Sequence, residues 1–190
     1  MDDLLADIRA CHICADLPLG PRPIIRAQTS AKILIIGQAP GTKVHETGVP
    51  WNDPSGDRLR DWMGLAPDQF YDDSTIAIMP MGLCYPGKIE KGGDKPPRPE
   101  CAPAWHQKVL DELVNIKLTL LVGSYAQAYY LGKRRHKTMT DTIRHWQDYR
   151  RDNLFVLPHP SWRVTNLIQK NPWLSTEVFP QLKQDVRALI

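Results

Sequence analysis

Four stretches of the chain are continuously apolar and rich in branched side chains, and each stops at or just before glycine or proline: AKILIIG (31–37), TIAI (75–78), KLTLLVG (117–123) and NLFVL (153–157). Strands buried on both faces read this way. Helical spacing fills much of the chain between and around them. Leu4, Leu5 and Ile8 share one side of residues 2–10, Asp57–Trp62 can begin a helix capped by Ser55, and AWHQKVLDELVNI (104–116) places Val109, Leu110, Leu113 and Ile116 together. A helix is predicted to start at Ser124, another covers 141–147, and TEVFPQLKQDVRALI closes the sequence with Val178, Leu182 and Val186 aligned. Pro180 is compatible with that helix only near its first turn or at a kink. Three segments read as irregular: the Pro-rich run through LPLGPRP up to about Thr29, residues 38–56, and CYPGKIEKGGDKPPRPE (84–100).

Strands separated by helices pair in parallel through helical crossovers. The expected fold is therefore a three-layer α/β/α sandwich around a central, mainly parallel four-stranded sheet, formed by residues 1–190 as a single domain. Ligands of such folds collect beyond the carboxyl ends of the strands. Those ends carry Gly37-Gln38-Ala39-Pro40-Gly41, Met79-Pro80-Met81-Gly82, Gly123-Ser124 and His159-Pro160-Ser161.

Composition narrows the class. The chain has 190 residues, 42% hydrophobic and 24% charged, and no window approaches the roughly 18 apolar residues of a membrane span. MDDLLADIRA is acidic where a presequence would be basic, so a cytoplasmic protein with no membrane partner is expected, and a monomer is expected as well. The net charge of +3 is small but uneven: residues 133–151 hold seven Lys/Arg against two Asp. Such a patch, led by Lys133, Arg134 and Arg135, can follow a phosphate backbone or be an ordinary solvated surface.

Four cysteines follow the spacing Cys11-x2-Cys14-x69-Cys84-x16-Cys101. A CxxC pair can chelate one centre, and the distant pair brackets the long 84–100 loop, which a clamp across its mouth would explain. Zinc and a [4Fe–4S] cluster both accept four thiolates, and unlinked thiols with a CxxC redox pair remain a further possibility at this point.

CHIC near the N-terminus, GQAPG (37–41) after the first strand, GVPWNDPSG (48–56), the two cysteines around a Pro/Lys-rich loop, LLVG (120–123) and HPS (159–161) together resemble the uracil-DNA glycosylase superfamily, within it the iron–sulfur, family 4-like branch. The resemblance covers most of the chain. It implies Cys11, Cys14, Cys84 and Cys101 as ligands of a structural [4Fe–4S] cluster, with zinc the lesser alternative. It also implies DNA containing a damaged base as partner, and base excision repair as the role, with the protein on the nucleoid when bound.

Site roles follow from the same resemblance. Cleaving an N-glycosidic bond leaves positive charge on the sugar and negative charge on the base, so a donor must meet the base and the base must leave the duplex. His159, stiffened by Pro158 and Pro160, is suited to donate to O2 of a pyrimidine. Backbone groups of Gly37, Gln38, Ala39 and Gly41 can meet the base or a water, Trp51 falls where the family stacks a Phe on the base, and Ser161 belongs to the same substrate set. Trp162 and Arg163 fall where a side chain enters the duplex or reaches phosphates. Two departures stand out: Gln38 replaces the Glu of GEAPG, and Pro80, four residues before the third cysteine, replaces a pyrimidine-reading Asn. Asp53 is the nearest carboxylate able to orient water and Asn52 a base-reading substitute, although Asn and Asp before Pro also serve turns.

The expected function is thus monofunctional hydrolysis of uracil or another damaged base from DNA. Two alternatives accompany it: a glycosylase-like protein that binds DNA or a damaged base but cleaves poorly, and an N-glycosidase acting on free nucleosides or nucleotides.

Overall fold

The structure, a computed structural model, describes residues 1–90 and 92–190. Helix α1 (Asp2–Arg9) leads into an irregular segment and then strand β1 (Ile33–Ile36). Helices α2 (Thr42–Thr47), α3 (Pro54–Met63) and α4 (Pro67–Phe70) precede β2 (Ile76–Ile78), and α5 (Cys101–Glu112) connects to β3 (Leu118–Val122). Helices α6 (Ser124–Leu131), α7 (Met139–Arg144) and α8 (Trp146–Arg150) lead to β4 (Leu154–Leu157). Helix α9 (Val164–Lys170), a π-helical turn (Leu174–Val178) and α10 (Phe179–Arg187) follow.

The sheet has the order β2-β1-β3-β4 with every pairing parallel; Leu34 lies opposite Ala77 on one side and Thr119 on the other. All of β1 and β2 is buried, as their uninterrupted apolar sequence requires. Each fully buried Leu or Ile here contributes roughly 1.5–3 kcal/mol relative to exposure. The outer edge of β2 is covered by a short antiparallel bridge from Arg26 to Ile78, so the Pro-rich run before Thr29 seals a sheet edge.

Helix α3 packs on α10, where Trp62 and Phe179 stack with ring centroids 4.3 Å apart, while α1 packs on α5. The connection from β1 to β2 runs one way across the sheet and the later two run the other. Right-handed crossovers therefore place α3 and α5 on opposite faces.

Several expected boundaries move. The 38–56 segment contains α2, whose C-terminus ends on the left-handed Gly48. Helix α3 is capped by Asp53, whose carboxylate accepts from Gly56 N, and not by Ser55. Residues 141–147 divide between α7 and α8. Pro180 stands in the first turn of α10, directly after the π turn.

Candidate functional site

A cleft of about 850 Å³ opens beyond the carboxyl ends of the strands, large enough for a nucleobase with part of its sugar. It lies where β1 and β3 are neighbours while their outgoing connections leave on opposite faces, the switch point at which such sheets bind ligands. Gly37, Gln38, Ala39, Gly41, Trp51, Asp53, His159, Ser161, Trp162 and Arg163 all line it. Asn52 is half-buried and is not part of the wall, and Lys133, Arg134 and Arg135 lie outside it.

Trp51 is held in an unusual way. Its φ of 57° is left-handed, a conformation that costs a bulky residue energy and persists only when its surroundings enforce it. The enforcement is visible on both sides of the residue. A Cβ on Gly37 would lie 2.6 Å from Cζ2 of the indole, so only glycine at the end of β1 lets the ring lie there. A Cβ on Gly56 would lie 1.7 Å from the Trp51 carbonyl oxygen, so α3 presses its backbone directly against the residue. Arg60 Nη1 donates to that same carbonyl at 3.3 Å and to the Tyr71 hydroxyl at 3.2 Å, and Tyr71 in turn donates to Pro50 O at 3.0 Å.

The indole of Trp51 is 5.8 Å from the His159 ring, centroid to centroid, tilted by 35°. Burial lowers the pKa of His159 below the usual histidine value, and Asp53 opposes that shift. Burial thereby favours the uncharged form of the imidazole, which faces the cleft. The loop that presents it is fixed by Arg58, whose Nη1 donates to the carbonyls of Pro160 and Ser161, both at 2.8 Å. Arg58 and Arg60 lie two positions apart on α3 and so point to different sides of it. One helix thereby braces both the tryptophan and the histidine loop. Neither arginine was expected at the site, because the contacts by which they brace it are made to backbone carbonyls, which leave no mark in the sequence.

Pro80, at the end of β2, also lines the cleft. Its carbonyl accepts from His106 Nε2 at 3.2 Å, and His106 Nδ1 lies 2.6 Å from the Tyr130 hydroxyl. A carbonyl only accepts, so Nε2 carries the proton and Nδ1 accepts from Tyr130. Beyond Pro80 the backbone follows the β1 loop, with Met81 N donating to Gly37 O and Gly82 N to Gln38 O.

The 84–100 loop contributes further residues that were not expected at the site. Lys88 and Asp94 form an antiparallel bridge, Lys95 N donates to Gly87 O and Ile89 N to Gly93 O, making a small hairpin. Ile89, Gly92, Gly93 and Asp94 of that hairpin line the cleft. The loop's length is thus explained by a roof over the site. Its base is tied by Arg98, which pairs with Asp16 at 2.9 Å and with Glu100 at 3.2 Å.

The four-cysteine metal centre is corrected. Among the described residues no group of three or more His, Cys, Asp or Glu side chains is placed to hold a metal ion, and all four cysteines are free. Neither a [4Fe–4S] cluster nor zinc fits this arrangement. Cys14 and Cys84 pack with Leu17 in a small apolar cluster, Cys101 joins the main core, and Cys11 is half-exposed. Burial pushes the Cys84 thiol up to about 12 and raises Cys14 and Cys101 as well. They behave as neutral, small apolar residues.

Arg134 pairs with Asp152, lies 5.8 Å from the Tyr149 ring centroid and accepts from the Tyr149 hydroxyl through its carbonyl. That part of the basic segment is committed to internal structure. Trp162, 74% exposed, stands at the cleft rim with the Arg163 guanidinium 5.3 Å above its ring.

Fold and cleft together define an α/β protein with a crevice beyond the carboxyl ends of its strands. Residues 26–183 match the family model of the uracil DNA glycosylase superfamily, and the chain belongs to that superfamily. Among the described residues no helix is long and apolar enough to cross a membrane.

Proposed function

We propose that the protein is a monofunctional DNA glycosylase that hydrolyses the N-glycosidic bond of uracil or another damaged base during base excision repair. The observation that carries this reading is the pairing of Trp51 and His159 in one strand-end cleft, an aromatic face beside an uncharged donor. An extruded base stacks against the indole while the imidazole N–H meets the oxygen on which negative charge develops. Asp53 uses Oδ1 to cap α3, leaving its second oxygen to orient water and to stabilise the cation-like sugar. Gln38, on the opposite loop, is the uncharged partner in holding that water. Trp162 and Arg163 meet the strand beside the extruded nucleotide, and Lys133 and Arg135 extend the contact to phosphates.

The test is incubation with a uracil-containing oligonucleotide followed by alkali. Strand breakage at the uracil supports the reading; binding without breakage favours the second reading, a binding protein that cleaves poorly. That second reading is favoured by Pro80, which offers neither a side-chain donor nor an N–H at the position facing the base.

A further inference from the structure

We infer that Asp94 reads the edge of the extruded base, its carboxylate accepting a hydrogen bond from the lactam N–H that deamination creates. The inference rests on the glycosylase reading and specifies its substrate class. The hairpin formed by residues 87–90 and 92–95 hangs over the cleft, and among the described residues its others lining the site are Ile89, Gly92 and Gly93, so of these Asp94 supplies the polar group. Asp94 Oδ2 lies 3.4 Å from where a Cβ on Gly41 would stand, which places the carboxylate against the β1 loop. Asp53 is near enough to bias both Asp94 and His159, so the three side chains surround one space from three different loops.

The chemistry follows from what deamination changes. Cytosine N3 and adenine N1 are bare acceptors, whereas uracil N3 and hypoxanthine N1 carry a hydrogen. An ionised carboxylate only accepts, so it pairs with the deaminated base and repels the lone pair of its parent. Pro80 leaves this task unfilled at the end of β2, and the hairpin reaches the same cleft from above. Thymine and guanine carry the same N–H, so the discrimination made here is between a deaminated base and its parent.

Protonation should reverse the preference, because a carboxylic acid can donate to cytosine N3. Desolvation and the neighbouring Asp53 raise the pKa of Asp94, while Lys88 across the bridge lowers it. Among the described residues, His159 and Arg163 are the other titratable or charged groups that share the cleft with Asp94 and Asp53.

The experiment compares wild type, Asp94→Ala and Asp94→Asn on oligonucleotides that differ only in carrying uracil, cytosine or an abasic analogue at one position. Affinity is measured at pH 7.5 and 5.5, and single-turnover base release alongside it. Wild type is expected to prefer the uracil strand over the cytosine strand, and less so at pH 5.5. Asp94→Ala should reduce that preference roughly tenfold or more at pH 7.5, the loss expected for a hydrogen bond to a charged group, with affinity for the abasic strand unchanged. Asp94→Asn should keep uracil binding, since its amide oxygen still accepts, but lose discrimination because the amide can turn to donate to cytosine. Equal preference in wild type and Asp94→Ala, or none in wild type, overturns the inference. Wild type that prefers uracil yet releases no base sinks the glycosylase reading alone, and base release with the same preference in all three proteins sinks Asp94 alone.

Discussion

Acidification should destabilise this protein through His106. The side chain is buried to 1% exposure, and desolvation lowers its pKa from 6.5 to about 4 even though the bond to Pro80 opposes the shift. A histidine whose folded pKa is depressed binds its proton more readily in the unfolded chain. Its contribution is fully present above pH 6.5 and is lost as pH falls from there toward 4. At about 1.4 kcal/mol per pH unit, the loss over that window is roughly 3 kcal/mol, a large share of a typical domain's stability. There is a geometric cost as well. A proton on Nδ1 forces the Tyr130 hydroxyl, 2.6 Å away, to stop donating, and the Pro80 carbonyl in the cleft wall depends on the same ring. Urea unfolding followed by circular dichroism at pH 7, 5.5 and 4.5 measures the effect against His106→Gln, which keeps a donor but does not titrate. Wild type should lose about 2.5 kcal/mol more than the variant between pH 7 and 4.5. Parallel losses in the two proteins would refute the reasoning and place the acid sensitivity on other groups.

Four further outcomes are expected. Gly56→Ala puts a methyl 1.7 Å from a backbone oxygen that cannot step aside, so the start of α3 must shift, at a cost of about 3 kcal/mol or more, read as a fall in Tm. Arg58→Ala removes two charged hydrogen bonds to the His159 loop; single-turnover base release should fall more than tenfold while Tm drops only modestly, and an unchanged rate would leave Arg58 a purely structural clamp. Asp53→Asn and His159→Ala should each slow base release by roughly 10²–10⁴-fold, and Asp53→Asn should cost more than Gln38→Ala; the reverse order would return Asp53 to its capping role. Charge reversal at Lys133 and Arg135 should weaken DNA binding and flatten its salt dependence, and an unchanged salt slope would put that segment off the DNA path.

Much of the framework is legible locally. Continuous apolar runs locate the strands within two residues of their bounds, and SYAQAYYL coincides with α6, because burial on both faces and helical spacing act over a few neighbouring residues. Helix α2 was hidden because glycine at each end and a polar interior read as loop. The cap of α3 fell to Asp53 because Pro54 can open a helix, which moves its start two residues earlier than Ser55 suggests. Most of the strand-end residues meet at one cleft as the topology requires, yet the groups that hold or roof them do not announce themselves. Arg58 reaches carbonyls more than a hundred residues away, and Asp94 arrives on a hairpin whose composition reads as mere irregularity. The cysteines show the opposite hazard. Their spacing suggested ligands, but the fold uses at least three of them as small apolar packing.

The stacking of Trp62 on Phe179 also sets an order of assembly. Helix α3, which braces Trp51 and the histidine loop, gains that backing ring only after all four strands have been synthesised. During vectorial synthesis the sheet can therefore gather while the brace still lacks its support. A chain interrupted before residue 179 would leave the ribosome with its strands but with a slack cleft. Competence waits on residue 179, so on the glycosylase reading a product terminated before it should release no base from DNA.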